Sequence, residues 1–129
     1  MTKKTEKPIK NISKGQLEDQ ISKKFMQFER EFLGRGPENV KTDIIRNMIL
    51  VRLEGVLTRA EIELASDLDG IIMVKSMRAK LLEKGRDHLK QIIFEATGCD
   101  IVSLHTDIST KSGDRVILAI LDKLCLVDS

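Results

Sequence analysis

The segment HTDISTKSGDR, residues 105–115, gathers a histidine, two acids, four hydroxyls, a lysine and an arginine into eleven positions. His105 and Asp107 stand two residues apart, which on a strand points both the same way. With Arg46, Arg52 and Glu54 on a neighbouring strand, such a group would bind an anion or exchange protons. A second stretch, GRGPENVK (34–41), offers successive backbone amides around Gly34–Gly36 with Arg35 beside them, the makings of an anion nest. It lacks the spacing of a phosphate-binding P-loop and follows a helix rather than a strand. Together these stretches define a candidate anion cleft: Arg35, Gly36, Arg52, His105, Asp107, Lys111 and Arg115. The competing reading is a helix stop and a hairpin whose polar residues face water.

No catalytic residue emerges. Ser109 and Ser112 sit on a loop without a nucleophile elbow. No metalloprotease helix, calcium loop or dinucleotide fingerprint occurs. Cys99 and Cys125 lie far apart in the chain, and only His88 and His105 are available to assist them, so no metal site is expected. The cysteines read as small, reduced apolar residues. Neither a cofactor nor an enzymatic activity is expected.

The elements that must position these residues follow from periodicity. Leu17, Ile21, Phe25, Phe28 and Phe32 mark one face of a helix over 14–33, opened by a Ser13/Gln16 capping box and closed by Gly34, Gly36 and Pro37. Residues 44–55 predict one strand with Ile49, Val51 and Leu53 on its core face. Thr58 and Glu61 form a second capping box before a short helix that SDLDG (66–70) breaks. A long helix is predicted over 71–97, with Gly85 inside it and Gly98 ending it. Arg78 falls at the edge of its apolar stripe, stem packed and head in water. Strands at 101–108 and 115–122 flank a hairpin loop turned by Gly113.

The sum is an α+β fold in the order α-β-α-α-β-β, a small antiparallel or mixed sheet packed by a long helix. Val102, Leu104 and Ile108, with Val116, Leu118 and Ile120, complete the expected core face. Met48, Leu50, Ile117, Ala119 and Leu121 fall on the other face, covered by the N-terminal helix or by a partner subunit. An apolar face of that size marks an interface, and a homo-oligomer, a dimer first, is expected.

Composition bounds the function. The 129 residues suit one domain, read as 14–123, with a basic tail at 1–13 and a short tail at 124–129. With no Trp or Tyr and four Phe, the core must be Ile, Leu, Val and Met. No apolar run approaches the ~20 residues that cross a bilayer. No signal segment follows the N-terminal lysines, so a cytoplasmic location is expected, at most peripheral to a membrane. The net charge of +2 conceals a division: residues 1–14 carry five lysines and one glutamate, leaving 17 basic and 19 acidic residues for the rest. A basic footprint on the folded body, usual in nucleic-acid binders, is therefore missing.

The stretches GRGPENVKTDI (34–44), MILVRLEGVLT (48–58) and VSLHTDISTKSGDRVI (102–117) resemble the MpsC family, named for a sodium-translocating, membrane-potential-generating system. The resemblance covers roughly residues 15–123 and brings no catalytic residues with it. It implies an association with ion or inorganic-carbon uptake. The expected function is a soluble, non-enzymatic binding or regulatory module, accessory to a membrane transport partner. The alternative is a small nucleic-acid-binding protein.

Overall fold

The computed structural model describes residues 12–125. The expected basic tail, up to residue 11, and the end of the expected C-terminal tail, 126–129, lie outside the described residues. The elements run α1 (Lys14–Leu33), β1 (Asn39–Ile45), β2 (Met48–Glu54), α2 (Arg59–Leu64), α3 (Leu68–Lys84), α4 (Arg86–Thr97), β3 (Ile101–Ile108) and β4 (Arg115–Leu121). The class is α+β, with a four-stranded antiparallel sheet in the order β1-β2-β4-β3.

Helix α1 forms where its periodicity places it. Ser13 Oγ accepts from the Gln16 amide and the Gln16 side chain accepts from the Ser13 amide, satisfying two donors that the first turn leaves open. Leu17, Ile21, Phe25 and Phe28 are buried, and Gly34 takes the left-handed conformation that ends the helix. Thr58 and Glu61 cap α2 in the same reciprocal way.

Three expectations are corrected. The single strand over 44–55 is a hairpin: β1 precedes it, turning through Arg46 and Asn47, with Arg46 at φ 56°. Asn47 pins the turn to the end of β4, its carbonyl accepting from the Leu121 amide and its side chain donating to the Leu121 carbonyl. The long helix is two helices, α3 and α4, separated at Gly85. The phenyl rings of Phe28 and Phe32 press there, and a Cβ on Gly85 would stand 2.6 Å from Phe28 Cζ. SDLDG is the start of α3 and not only a break, because Asp67 accepts from the Gly70 amide as N-cap.

The core face also differs on β4. Ile49, Val51 and Leu53 are buried as expected. Opposite them stand Ala119, Ile117 and Arg115, so Ile117, Ala119 and Leu121 face the core while Val116, Leu118 and Ile120 face away. A strand apolar on both sides cannot announce its inner face; pairing with β2 decides it. A bulge between Ile101 and Ser103 shifts the start of β3, and Val102, expected inside, is 66% exposed. The N-terminal helix does not cover the second face. α1, α3 and α4 contribute to one core with Ile44, Ile49, Ile117 and Leu121, and α1 is tied to the core side of β1 by a 2.8 Å hydrogen bond between Ser22 and Thr42. Among the described residues no helix lies on the sheet's other face.

Candidate functional site

The polar 105–115 segment forms the end of β3, a tight loop and the start of β4. His105 is exposed, its Nε2 3.2 Å from Ser103 Oγ. Asp107 projects at the sheet edge. Its Oδ1 accepts from the Ile108 amide (2.9 Å) and lies 3.4 Å from Lys75 Nζ. The amide first, and then Lys75, hold its carboxyl below the usual range. In the loop the Gly113 amide donates to the Ser109 carbonyl at 2.8 Å, with Gly113 at φ 79°, and Lys111 is exposed nearby.

Arg35 and Arg52 are committed elsewhere. Arg35 Nη1 donates to the carbonyls of Gly55 (3.2 Å) and Val56 (3.1 Å), clamping the segment that follows β2. Arg52 pairs with Glu54 (3.4 Å) and Asp114 (3.3 Å). Gly36 packs against Met26. The seven predicted residues therefore do not meet in one cleft. Only Asp107 and Arg115 share a groove, about 280 Å³ between α3 and β3, lined also by Lys75, Ser76, Ala79, Thr106 and Ile108.

Behind that groove lies a cluster that sequence reasoning missed. Glu29 of α1, Glu61 of α2, Arg78 of α3 and Arg115 of β4 are all buried. Arg78 grips Glu61 with two parallel bonds, Nε to Oε2 at 2.8 Å and Nη2 to Oε1 at 2.7 Å, the two-pronged geometry that a guanidinium offers a carboxylate. Its Nη2 also donates to the Val56 carbonyl at 2.8 Å, the acceptor that Arg35 uses from outside. Glu29 Oε1 lies 4.0 Å from Arg78 Nη1. Arg115 Nη2 donates to the Arg78 carbonyl at 3.2 Å. Glu29 Oε2 and Arg115 Nε have no hydrogen-bond partner among the described residues.

Burial sets the electrostatics here. It pushes the Glu29 carboxyl above its ordinary value, against the pull of Arg115 and Arg78. It pushes Glu61 the same way, but there the hydrogen bonds from Arg78 and Thr58 win and hold the carboxyl below its ordinary value. Burial lowers Arg115, opposed by Glu29. The expectation that Arg78 keeps a wet head is thus reversed. The available signal was spacing: Gly70, Val74, Arg78 and Leu82 are the buried residues of α3, at steps of four, and Glu29 stands four beyond Phe25. Two charges of opposite sign on core stripes of two helices point to each other. The cluster offers no nucleophile; it fastens three helices and a strand.

The thiols, distant in sequence, are neighbours in space. Burial raises both, Cys125 to about 11, where the neighbouring Cys99 pushes the same way. Among the described residues no three His, Cys, Asp or Glu side chains are placed to hold a metal ion.

Two apolar surfaces remain uncovered by the described residues. One is the helix-free sheet face. The other runs along α2 and α3, where Ile62, Leu68, Ile72, Met73 and Met77 are exposed, Leu68 at 71%.

Comparison with known proteins places these features in context. The family model described as Na+-translocating membrane potential-generating system (MpsC) matches residues 13–123. The chain is 45% identical over 113 residues to the uncharacterized protein YbcI of Bacillus subtilis (strain 168), a match covering 88% of this chain and 89% of that one. It is 27% identical over 111 residues to the uncharacterized protein YrhF of the same organism, covering 80% of this chain and 91% of the relative. No solved structure matches it significantly.

Proposed function

The chain belongs to the MpsC family, and from that premise we propose that it is a non-enzymatic docking or regulatory module for a membrane machine of ion or inorganic-carbon uptake. No helix among the described residues is long and apolar enough to cross a membrane. In this reading ion passage belongs to a spanning partner, whose backbone polar groups are satisfied within the bilayer. This chain supplies a contact surface. The observation that supports it is the exposure of Leu68, Ile72, Met73 and Met77, which leaves four long apolar side chains in water within ten residues of one helix. Scattered single apolar residues need no explanation, but a concentration of them on one element marks a docking site. Methionine adds adaptability, since its unbranched thioether fills irregular surfaces.

The alternative reading, a binder of single-stranded nucleic acid, draws on aromatic rings that stack on bases. β1, β2, β3 and β4 contain no Phe, Tyr or Trp, which favours the docking reading.

The test is complementation. Cells lacking the chain are given the wild type or the Ile72→Glu/Met73→Glu double variant, and the Na+-dependent membrane potential is recorded with a voltage-sensitive dye. The wild type is expected to restore the potential and the double variant to fail while its circular dichroism stays native. Equal potentials with and without the chain would refute the reading.

A further inference from the structure

We infer that Cys99 and Cys125 form a dithiol oxidation site, closed by a peroxide into an intrachain disulfide that staples the end of the chain to the start of β3. The inference is independent of the docking function proposed above. It rests on where the two sulfurs sit and on what holds each of them.

The chain has two cysteines, and the fold brings both to one place. Cys99 follows the left-handed glycine that ends α4, and its amide donates to Thr97 Oγ1 at 3.0 Å. Asp100, beside it, is tied to the end of β4. The Asp122 amide donates to the Asp100 carbonyl (3.0 Å) and the Asp100 amide to Asp122 Oδ1 (3.1 Å). The segment after Asp122 then passes over the Cys99 thiol. Cys99 Sγ lies 3.9 Å from the carbonyl oxygens of both Lys123 and Leu124. The thiol of the next residue, Cys125, is within hydrogen-bonding reach of it. Pairing at the base of the β3–β4 hairpin thus sets the contact.

The two sulfurs differ in access and in freedom. Cys99 is 1% exposed and belongs to the core, while Cys125 is half-buried at its margin. Residues 123–125 lie in neither helix nor strand and make no backbone–backbone hydrogen bond among the described residues. A disulfide needs its sulfurs about 2.05 Å apart. The Cys125 side chain and its segment supply that approach while the frame of Cys99 stays fixed.

Access sets the order of the chemistry. Cys125 reacts first: its sulfur attacks the peroxide, an S–O bond forms, the O–O bond breaks and one water leaves. Cys99 then attacks the sulfur of that sulfenic acid. The S–S bond forms, the S–O bond breaks and a second water leaves. Two thiols are oxidised and one hydrogen peroxide is reduced to two waters. Burial raises both thiols, so the first step is slow at neutral pH. The same burial makes each a poor leaving group, so an outside thiol displaces the finished bond slowly. These are the properties of a staple rather than of a turnover centre.

The experiment treats the reduced full chain with excess hydrogen peroxide at pH 8, blocks remaining thiols, digests with trypsin without reductant and reads the peptides by mass spectrometry. Cys99 and Cys125 fall in separate tryptic peptides, 91–111 and 124–129. The expected product is those two joined, lighter than their sum by two hydrogens, from a chain that runs at single-chain mass on a non-reducing denaturing gel. Cys99→Ala removes the resolving thiol, so dimedone should trap the Cys125 sulfenic acid there about tenfold or more above the wild type. In Cys125→Ala the buried Cys99 should stay a thiol. The oxidised wild type should unfold at a higher urea concentration before re-reduction than after it, because the closed loop restricts the unfolded chain. Thiols that stay free, Cys125 carried to sulfinic acid without a bridge, a bridge only between two chains, or no rise in the urea midpoint would each overturn the inference.

Discussion

At the scale of single residues, arginines of similar pairing carry unequal weight. Arg52 and its partners Glu54 and Asp114 are partly or largely open to water, where ion pairs contribute up to about 1 kcal/mol. Arg78 is 4% exposed, and removing it leaves buried Glu61 without its two-pronged partner and Glu29 with Arg115 as its remaining counter-charge. We expect Arg78→Ala to lose about 3–5 kcal/mol in urea unfolding and Arg52→Ala no more than about 1 kcal/mol. The two glutamates of the cluster should respond to pH with opposite signs. Glu29 has a raised carboxyl, so the folded protein binds its proton more tightly than the unfolded chain does. Its contribution is full below the ordinary value of 4.5 and is lost as pH rises through the raised folded value. Glu61 is lowered, so its contribution is present above 4.5 and lost as pH falls through the depressed value. Glu29→Gln should therefore flatten the fall in stability as pH climbs from 4.5, and Glu61→Gln the fall on acidification. Stability against pH in urea, run for both variants, checks the two signs. The cysteines give a third pH signal. With its thiol near 11, Cys125 should alkylate slowly at pH 8 and accelerate up to that value.

At the scale of elements, Gly85 separates helix propensity from packing. Replacing a helical glycine by alanine ordinarily stabilises by about 1 kcal/mol. Here the new Cβ would stand 2.6 Å from Phe28 Cζ and 3.1 Å from Phe28 Cε1. Overpacking costs about 1–3 kcal/mol, so Gly85→Ala should be net destabilising, and trimming the ring with Phe28→Leu should shrink its effect in a double-mutant cycle. Gly70→Ala should be worse, because its Cβ would land on the backbone carbonyl of Leu64. These two glycines mark where the sequence stops being legible. Elements set by local chemistry could be read: α1 from its apolar spacing, both capping boxes, the inner face of β2 and the β3–β4 hairpin. Elements set by contact could not. β1 merges with β2 in the sequence because Arg46 and Asn47 carry no glycine to announce their turn. The break at Gly85 depends on two phenylalanines of α1. The inner face of β4 depends on its pairing with β2. The charged cluster depends on four segments converging, and no single segment signals the burial of its own charge.

At the scale of the whole molecule, the two uncovered apolar surfaces lie on different layers. The sheet face belongs to β2 and β4, while the strip of Ile72 and Met73 lies on α3, which turns Val74 and Leu82 to the core on the sheet's other side. The two surfaces can therefore be altered one at a time. With docking on α3, as proposed, Ile72→Glu/Met73→Glu should abolish binding of labelled chain to vesicles bearing the partner. Leu118→Lys, on the sheet face, should leave that binding within about threefold of the wild type, since sites more than ~10 Å apart without shared partners act independently. Urea unfolding of both variants separates lost docking from lost folding. Equal losses of binding in two folded variants would mean that the partner covers the sheet face as well as α3.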